Sequence, residues 1–217
     1  MKTIVISCEM VQEELEAAAK RAGIEPEIIW LEKGLHSKPE KLHGRLQEEL
    51  DGNHGSDRII LAFGDCGNAT LGLRTGNFEL IRPRVDDCIS LLLGSVKRRM
   101  EINAESGSFF LTKGWLNKDN AFHDRNRVLE EYGEDVGQEI VKMMFGHYER
   151  FVLLDTGAYD LAPAVEEAQY MAGEMGWYLD VVPAGVDYLS DLLTGPWDDE
   201  RFSIIPPNSV IESRPYY

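Results

Sequence analysis

The order of apolar blocks constrains this chain more than any motif in it. "KTIVIS" is a short β-type run, a helical pattern follows from Val11 to about Arg21, and Gly23 stops it. "EPEIIWL" reads as the next strand, and "LHSKPEKLHGRLQEEL" opens a second helix. There Ser37 can cap, Glu40 can close a capping box, and Pro39 falls in the tolerant first turn. "DRIILAF" and "FELIRP" supply the third and fourth strands, and "DDCISLLLGSVKRRMEI" a largely buried helix. Strands and helices alternating at this length imply parallel strands with right-handed crossovers. The fold class predicted is therefore α/β, a Rossmann-like, mainly parallel sheet with helices on both faces.

The last third restarts the same order: "RFVLLD", "LAPAVEEAQYMAGEMG", "WYLDVVP", "VDYLSDLLTG" and "RFSIIPP". This predicts two pseudo-repeated β-α-β-α-β halves, 1–102 and 149–217, within a single α/β domain spanning 1–217. Between them, 103–148 reads as an irregular excursion followed by a helix. The polar part, from about Asn103 to Gly133, is expected to cover the crevice as a lid, although "GSFFLTKGWL" could add a strand. Trp115 and Trp197 read as core anchors.

With 43% hydrophobic residues, 217 residues can bury a substantial core. The formal net charge of -16 argues against nucleic acid or an anionic membrane surface as partner, since both demand a positive face. No apolar stretch approaches the ~20 residues of a membrane span, and the start lacks the apolar core of a signal peptide. A cytoplasmic location is expected. Three cysteines, an odd number, do not read as a secreted disulfide framework.

Each cysteine follows a predicted strand: Cys8 the first, Cys66 the third, and Cys88 the fourth, at a helix entrance. In an open parallel sheet the loops after the carboxyl ends gather on one edge, where ligands bind. The three thiols can therefore converge, with His36, ahead of the second helix, as a fourth ligand. Thiolate with neutral imidazole suits zinc or iron, so the candidate cofactor is zinc or a 4Fe–4S cluster. Free cysteine is also among the most commonly buried residues, and no CxxC is present. Asp65 beside Cys66 would raise its thiol pKa, which weakens a free nucleophile, whereas metal coordination deprotonates the thiol outright.

"GDCGNATLG" has neither the ending of a Walker A loop nor GxGxxG. Its glycines still permit close backbone approach to a ligand, so Gly64, Gly67 and Asn68 are candidate binding residues. Arg84 is another, suited to a carboxylate or phosphate, unless it pairs with the adjacent aspartates. Three readings stand side by side. One is a cysteine-ligated metal protein. The second is a non-metal small-anion binding module with structural cysteines, and the third an enzyme with Cys66 as nucleophile.

"SCEMVQEEL", "LHSKPEKLHGRL", "FGDCGNATLGL", "IRPRVDDCISLLLGS", "SFFLTKGW", "LLDTG" and "LLTGPWDDERF" together resemble a family of anaerobic bacteria and archaea. It is catalogued as domain-of-unknown-function family sixteen thirty-eight. Its pattern of three cysteines, a Leu-His pair and Arg-x-x-Asp-Cys maps onto Cys8, Cys66, Cys88, Leu35–His36 and Arg84 with Asp87–Cys88. Members often carry tyrosine and a hydrophobic residue where this chain has Phe63 and Asp65, and many have histidine at the place of Asp86. Members are often encoded near corrinoid-dependent methyltransferases. The resemblance thus implies a setting in anaerobic one-carbon metabolism, with a small-molecule ligand or a corrinoid or methyltransferase protein as partner.

Overall fold

A computed structural model describes residues 1–52, 55–116 and 120–212. The chain forms two compact units, Met1–Arg98 with Gly185–Tyr217, and Arg99–Ala184, each with its own sheet.

The first unit holds β1 (Thr3–Cys8), α1 (Gln12–Ala22), β2 (Glu27–Leu31), α2 (Pro39–Gly52), β3 (Arg58–Ala62), β4 (Glu79–Pro83) and α3 (Cys88–Leu93). Next in the chain is α4 (Val96–Glu105), within which the division falls. The sheet order is β2-β1-β3-β4-β8, where β8 (Phe202–Ile205) follows the second unit in the chain. β1 pairs in parallel with β2 and β3, and β3 with β4. Leu42, Leu46 and Leu50, one helical turn apart on α2, bury against Ile6, Ile59, Leu61 and Leu80 of the sheet. On α1, Leu15, Ala18 and Ala19 are buried, and α1 packs on α8 (Asp187–Thr194), which in turn packs on β3 and β4. Gly23 ends α1 in a left-handed cap, as its position predicts.

The predicted cap of α2 takes a different form. Ser37 closes a 3-10 turn, Leu35–Ser37, and its hydroxyl donates to the Gly34 carbonyl at 2.8 Å. The helix starts two residues later at Pro39, still in the first turn.

The second unit holds β5 (Ser108–Leu111), α5 (Lys113–Leu116), α6 (Ala121–Phe145), β6 (Arg150–Asp155), α7 (Leu161–Met175) and β7 (Tyr178–Pro183). Its three strands are all parallel, in the order β5-β6-β7. The part expected to be an irregular excursion, about 103–133, carries β5, α5 and the first part of α6, so "GSFFLTKGWL" does supply a strand, and a helix follows as expected. Trp115 is buried there.

Mainly parallel α/β architecture is what the alternation predicted, but the expected half 149–217 does not form one sheet: α8 belongs to the first unit, and so does β8. That strand does not follow β7 in its sheet; it pairs antiparallel with β4, Leu80 opposite Ile205 and Pro83 opposite Phe202. The reason lies in its connection. Leu193, Thr194 and Trp197 lie with Thr3 and Arg58, at the amino edge of the sheet. The chain then returns without a helix and enters β8 beside Pro83, at the carboxyl edge. A strand reached by an extended return must run opposite to one reached through a crossover helix.

Candidate functional site

Ser7 lies opposite Ala62, and Ile60 opposite Ile81, so β1, β3 and β4 end at one level. β2 lies on one side of β1, and β3 and β4 on the other. The strand order thus reverses between β1 and β3, and α/β sheets bind ligands outside the strand ends at such a point. Cys8 is the last residue of β1, Cys66 follows β3 and Cys88 opens α3 after β4. The structure brings all three predicted cysteines to this edge.

The loop after β3 lies directly on the loop after β4. The Asp65 N–H donates to the Val85 carbonyl at 3.1 Å, and the Cys66 N–H to the Asp86 carbonyl at 2.8 Å. At Gly64 the contact is backbone against backbone, for a Cβ there would lie 2.4 Å from Asp87 Cα. Cys66, Gly67 and Asn68 then take φ of 45°, 75° and 68°, a run of left-handed residues. The Ala69 N–H closes the turn on the Asp65 carbonyl at 2.7 Å. Cys8 accepts the Met10 N–H on its Sγ at 3.5 Å, and Cys8 and Cys66 both pack against the apolar cluster over α2. Asp87 caps α3 by accepting the Ser90 N–H at 2.8 Å, and Asp86 accepts the Ser90 hydroxyl at 2.6 Å.

Each cysteine keeps some exposed surface, yet at Cys66 and Cys88 burial dominates the acidity. Burial, first, and then Asp87, Cys8, Asp65 and Asp86 push the Cys66 thiol up to about 12. Burial, Cys66, Asp87 and Cys8 raise Cys88 well above the ordinary thiol value. The three thiols therefore lie within one another's electrostatic reach. Among the described residues, no group of three or more His, Cys, Asp or Glu side chains is arranged to hold a metal ion. His36 is half-buried in the turn Leu35–Ser37 after β2, also at the carboxyl side.

The residue that fastens the cysteine loop is one the motif reading passed over. Arg82, 7% exposed, pairs its Nη2 with Asp65 Oδ1 at 2.8 Å and donates from Nη1 to Thr70 Oγ1 at 2.7 Å. Thr70 in turn donates to Asp65. An arginine inside the apolar run "ELIRP" is the signal that could have found it, because a buried charge demands a partner. Arg84 has a different task. Its backbone N–H donates to the Arg201 carbonyl at 2.7 Å, and its side chain donates to the Asp199 carbonyl, so it ties β4 to the approach to β8.

Arg82 and Arg84 line a cavity of about 450 Å³ with Ser203, Asn208 and Ser209 among others. Gly67 and Asn68 line a separate groove of about 260 Å³ with Pro39, Glu40 and His43. The candidate anion-binding residues are thus divided between two concavities. His43 donates from Nδ1 to the Ala69 carbonyl at 3.0 Å, bracing the cysteine loop against α2.

Residues 30–193 match the family described as "Protein of unknown function (DUF1638)". The chain belongs to this family. No curated protein and no solved structure matches the chain. The DUF1638 match includes His36, Cys66, Arg82, Arg84 and Cys88, and Cys8 precedes it.

Proposed function

We propose that Cys8, Cys66 and Cys88 bind a metal as thiolates at the carboxyl edge of the first sheet, with His36, water or substrate completing the coordination. The observation that carries this reading is the placement of three cysteines at three strand ends on one edge, with the Cys66 loop hydrogen-bonded to the loop that leads into Cys88. Soft sulfur donors suit zinc or an iron–sulfur cluster. Their side chains must rotate inward to form a cage, since none is arranged in advance among the described residues. Bound zinc supplies Lewis acidity and can lower the pKa of a thiol or water at an open position. A role in anaerobic corrinoid-dependent methyl metabolism in the cytoplasm, beside a corrinoid or methyltransferase partner, is what the family resemblance adds.

The raised thiol pKa values weigh against Cys66 as a free nucleophile, because the thiolate is the reactive form. They are compatible with metal binding, in which the cation replaces the protons. One observation favours the small-anion module as a second reading. The 450 Å³ cavity presents Arg82 and Arg84 together with Ser203, Asn208 and Ser209.

Purification without oxygen, followed by metal and acid-labile sulfide analysis, tests the first reading. Stoichiometric zinc or iron, lost in Cys8→Ser, Cys66→Ser and Cys88→Ser, is the expected result. Metal-free protein that still binds phosphate through Arg84 would replace it with the second.

A further inference from the structure

We propose that the outward face of the second segment of α6 docks a basic amphipathic helix from a partner protein. α6 breaks its helical backbone at Gly133 (φ 74°, ψ 173°), and 134–145 continues as a separate helical run. Its inner side is Gly137 and Phe145, both buried, with Val141 half-buried. Successive residues turn by ~100°, so Val136, Ile140 and Met143 share a stripe that lies opposite Phe145. Val136 is 54% exposed, Met143 76% and Met144, beside the stripe, 40%, while Ile140 is half-buried. Tyr132, immediately before the break, is 51% exposed. A helix that is apolar on two opposite sides has a use for a second partner.

The border of the stripe selects the kind of partner. Asp135 and Glu139 flank it on one side, Glu130 and Glu131 precede the break, and Lys142 is the sole cation of 134–145. A second copy of this chain would set the same acidic border against itself, on molecules of formal charge -16. A helix with apolar anchors one turn apart and Lys or Arg beside them meets both features. Methionine suits this task because its flexible, polarisable side chain adapts to the anchors.

The test is fluorescence anisotropy of a labelled Leu/Lys amphipathic peptide, roughly 18 residues long so that it can form a helix, titrated with the full chain. Saturable binding is expected, weakened about tenfold or more in Val136→Ser/Met143→Ser. In Asp135→Asn/Glu139→Gln its salt dependence should be reduced. Circular dichroism confirms that each variant folds. Absent binding, equal binding of a peptide with the same composition in scrambled order, or unchanged affinity in the Ser variant overturns the proposal. So does a concentration-dependent dimer abolished by the same Ser substitutions, which would make a second copy the occupant.

Discussion

The two sheets run the same β-α-β pattern to different ends. In the first, β3 and β4 are buried along nearly their whole length, and the loops beyond them lie on one another. In the second, β7 has no fully buried residue, and the turn after β6 satisfies itself locally. There the Gly157 N–H bonds back to Asp155, and the Tyr159 hydroxyl to the Leu154 carbonyl. Both sheets have strand ends at which a site could be built. Among the described residues, the cysteines, the Arg82–Asp65 pair and the left-handed run occur only at the first. Parallel topology creates the opportunity, and close loop-on-loop packing turns it into a candidate site.

Removing one arginine from each sheet is the strongest way to break the comparison. Arg82→Met leaves Asp65, whose side chain is 13% exposed, without its partner and should cost about 3–5 kcal/mol. Arg150→Met leaves Asp180, 45% exposed, and Glu105, 70% exposed, to water but also loses the bonds to Ser108 Oγ and the Ile102 carbonyl, and should cost about 2 kcal/mol. Urea unfolding of both variants measures the gap, and equal losses would show that the cysteine loop is not specially fastened.

Glycine substitution sharpens the contrast on a smaller scale. Gly64→Ala drives a Cβ into the Asp87 backbone and should destabilise by about 3 kcal/mol, with loss of loop geometry at Cys66. Gly157→Ala meets nothing within 4 Å and pays only for its φ of 67°, about 1 kcal/mol. Thermal midpoints read both.

The effect that is smallest at neutral pH appears only in alkali. Cys66 titrates near 12 in the folded chain against an ordinary 9.0, so the folded state holds more protons between those values. Its contribution to stability is complete below pH 9 and is lost as pH rises toward 12, by about 1 kcal/mol per pH unit. Metal-free Cys66→Ala should show a shallower alkaline decline, while thiol alkylation of the native chain should stay slow at neutral pH. Rapid alkylation of Cys66 at pH 7 would contradict the buried, coupled site.

Much of the first sheet was legible because burial on both faces of β3 writes itself as an unbroken apolar run, which in β4 only Arg82 interrupts. The position of the cysteines was legible for the same reason, since strand ends define the edge. The direction of β8 was not, because periodicity carries no sign and nothing in 195–201 marks the extended return that follows α8. Nor could spacing separate Arg82 from Arg84. Residues two apart lie on the same side of a strand, and only the path of the β3 loop decides which one meets Asp65. Ser37 was misread as the cap of α2 because a 3-10 turn inserted before Pro39 leaves the sequence motif intact.

The pairing of β4 with β8 also sets a schedule for synthesis. Residues 79–83 leave the ribosome long before 202–205, and the whole second unit must emerge between them. Until then β4 presents a bare apolar edge, open to wrong partners. The Arg201 and Asp199 carbonyls that receive Arg84 arrive late as well. The nascent chain can thus assemble its thiol-bearing loops early, but their outer clasp closes only after the second unit has emerged.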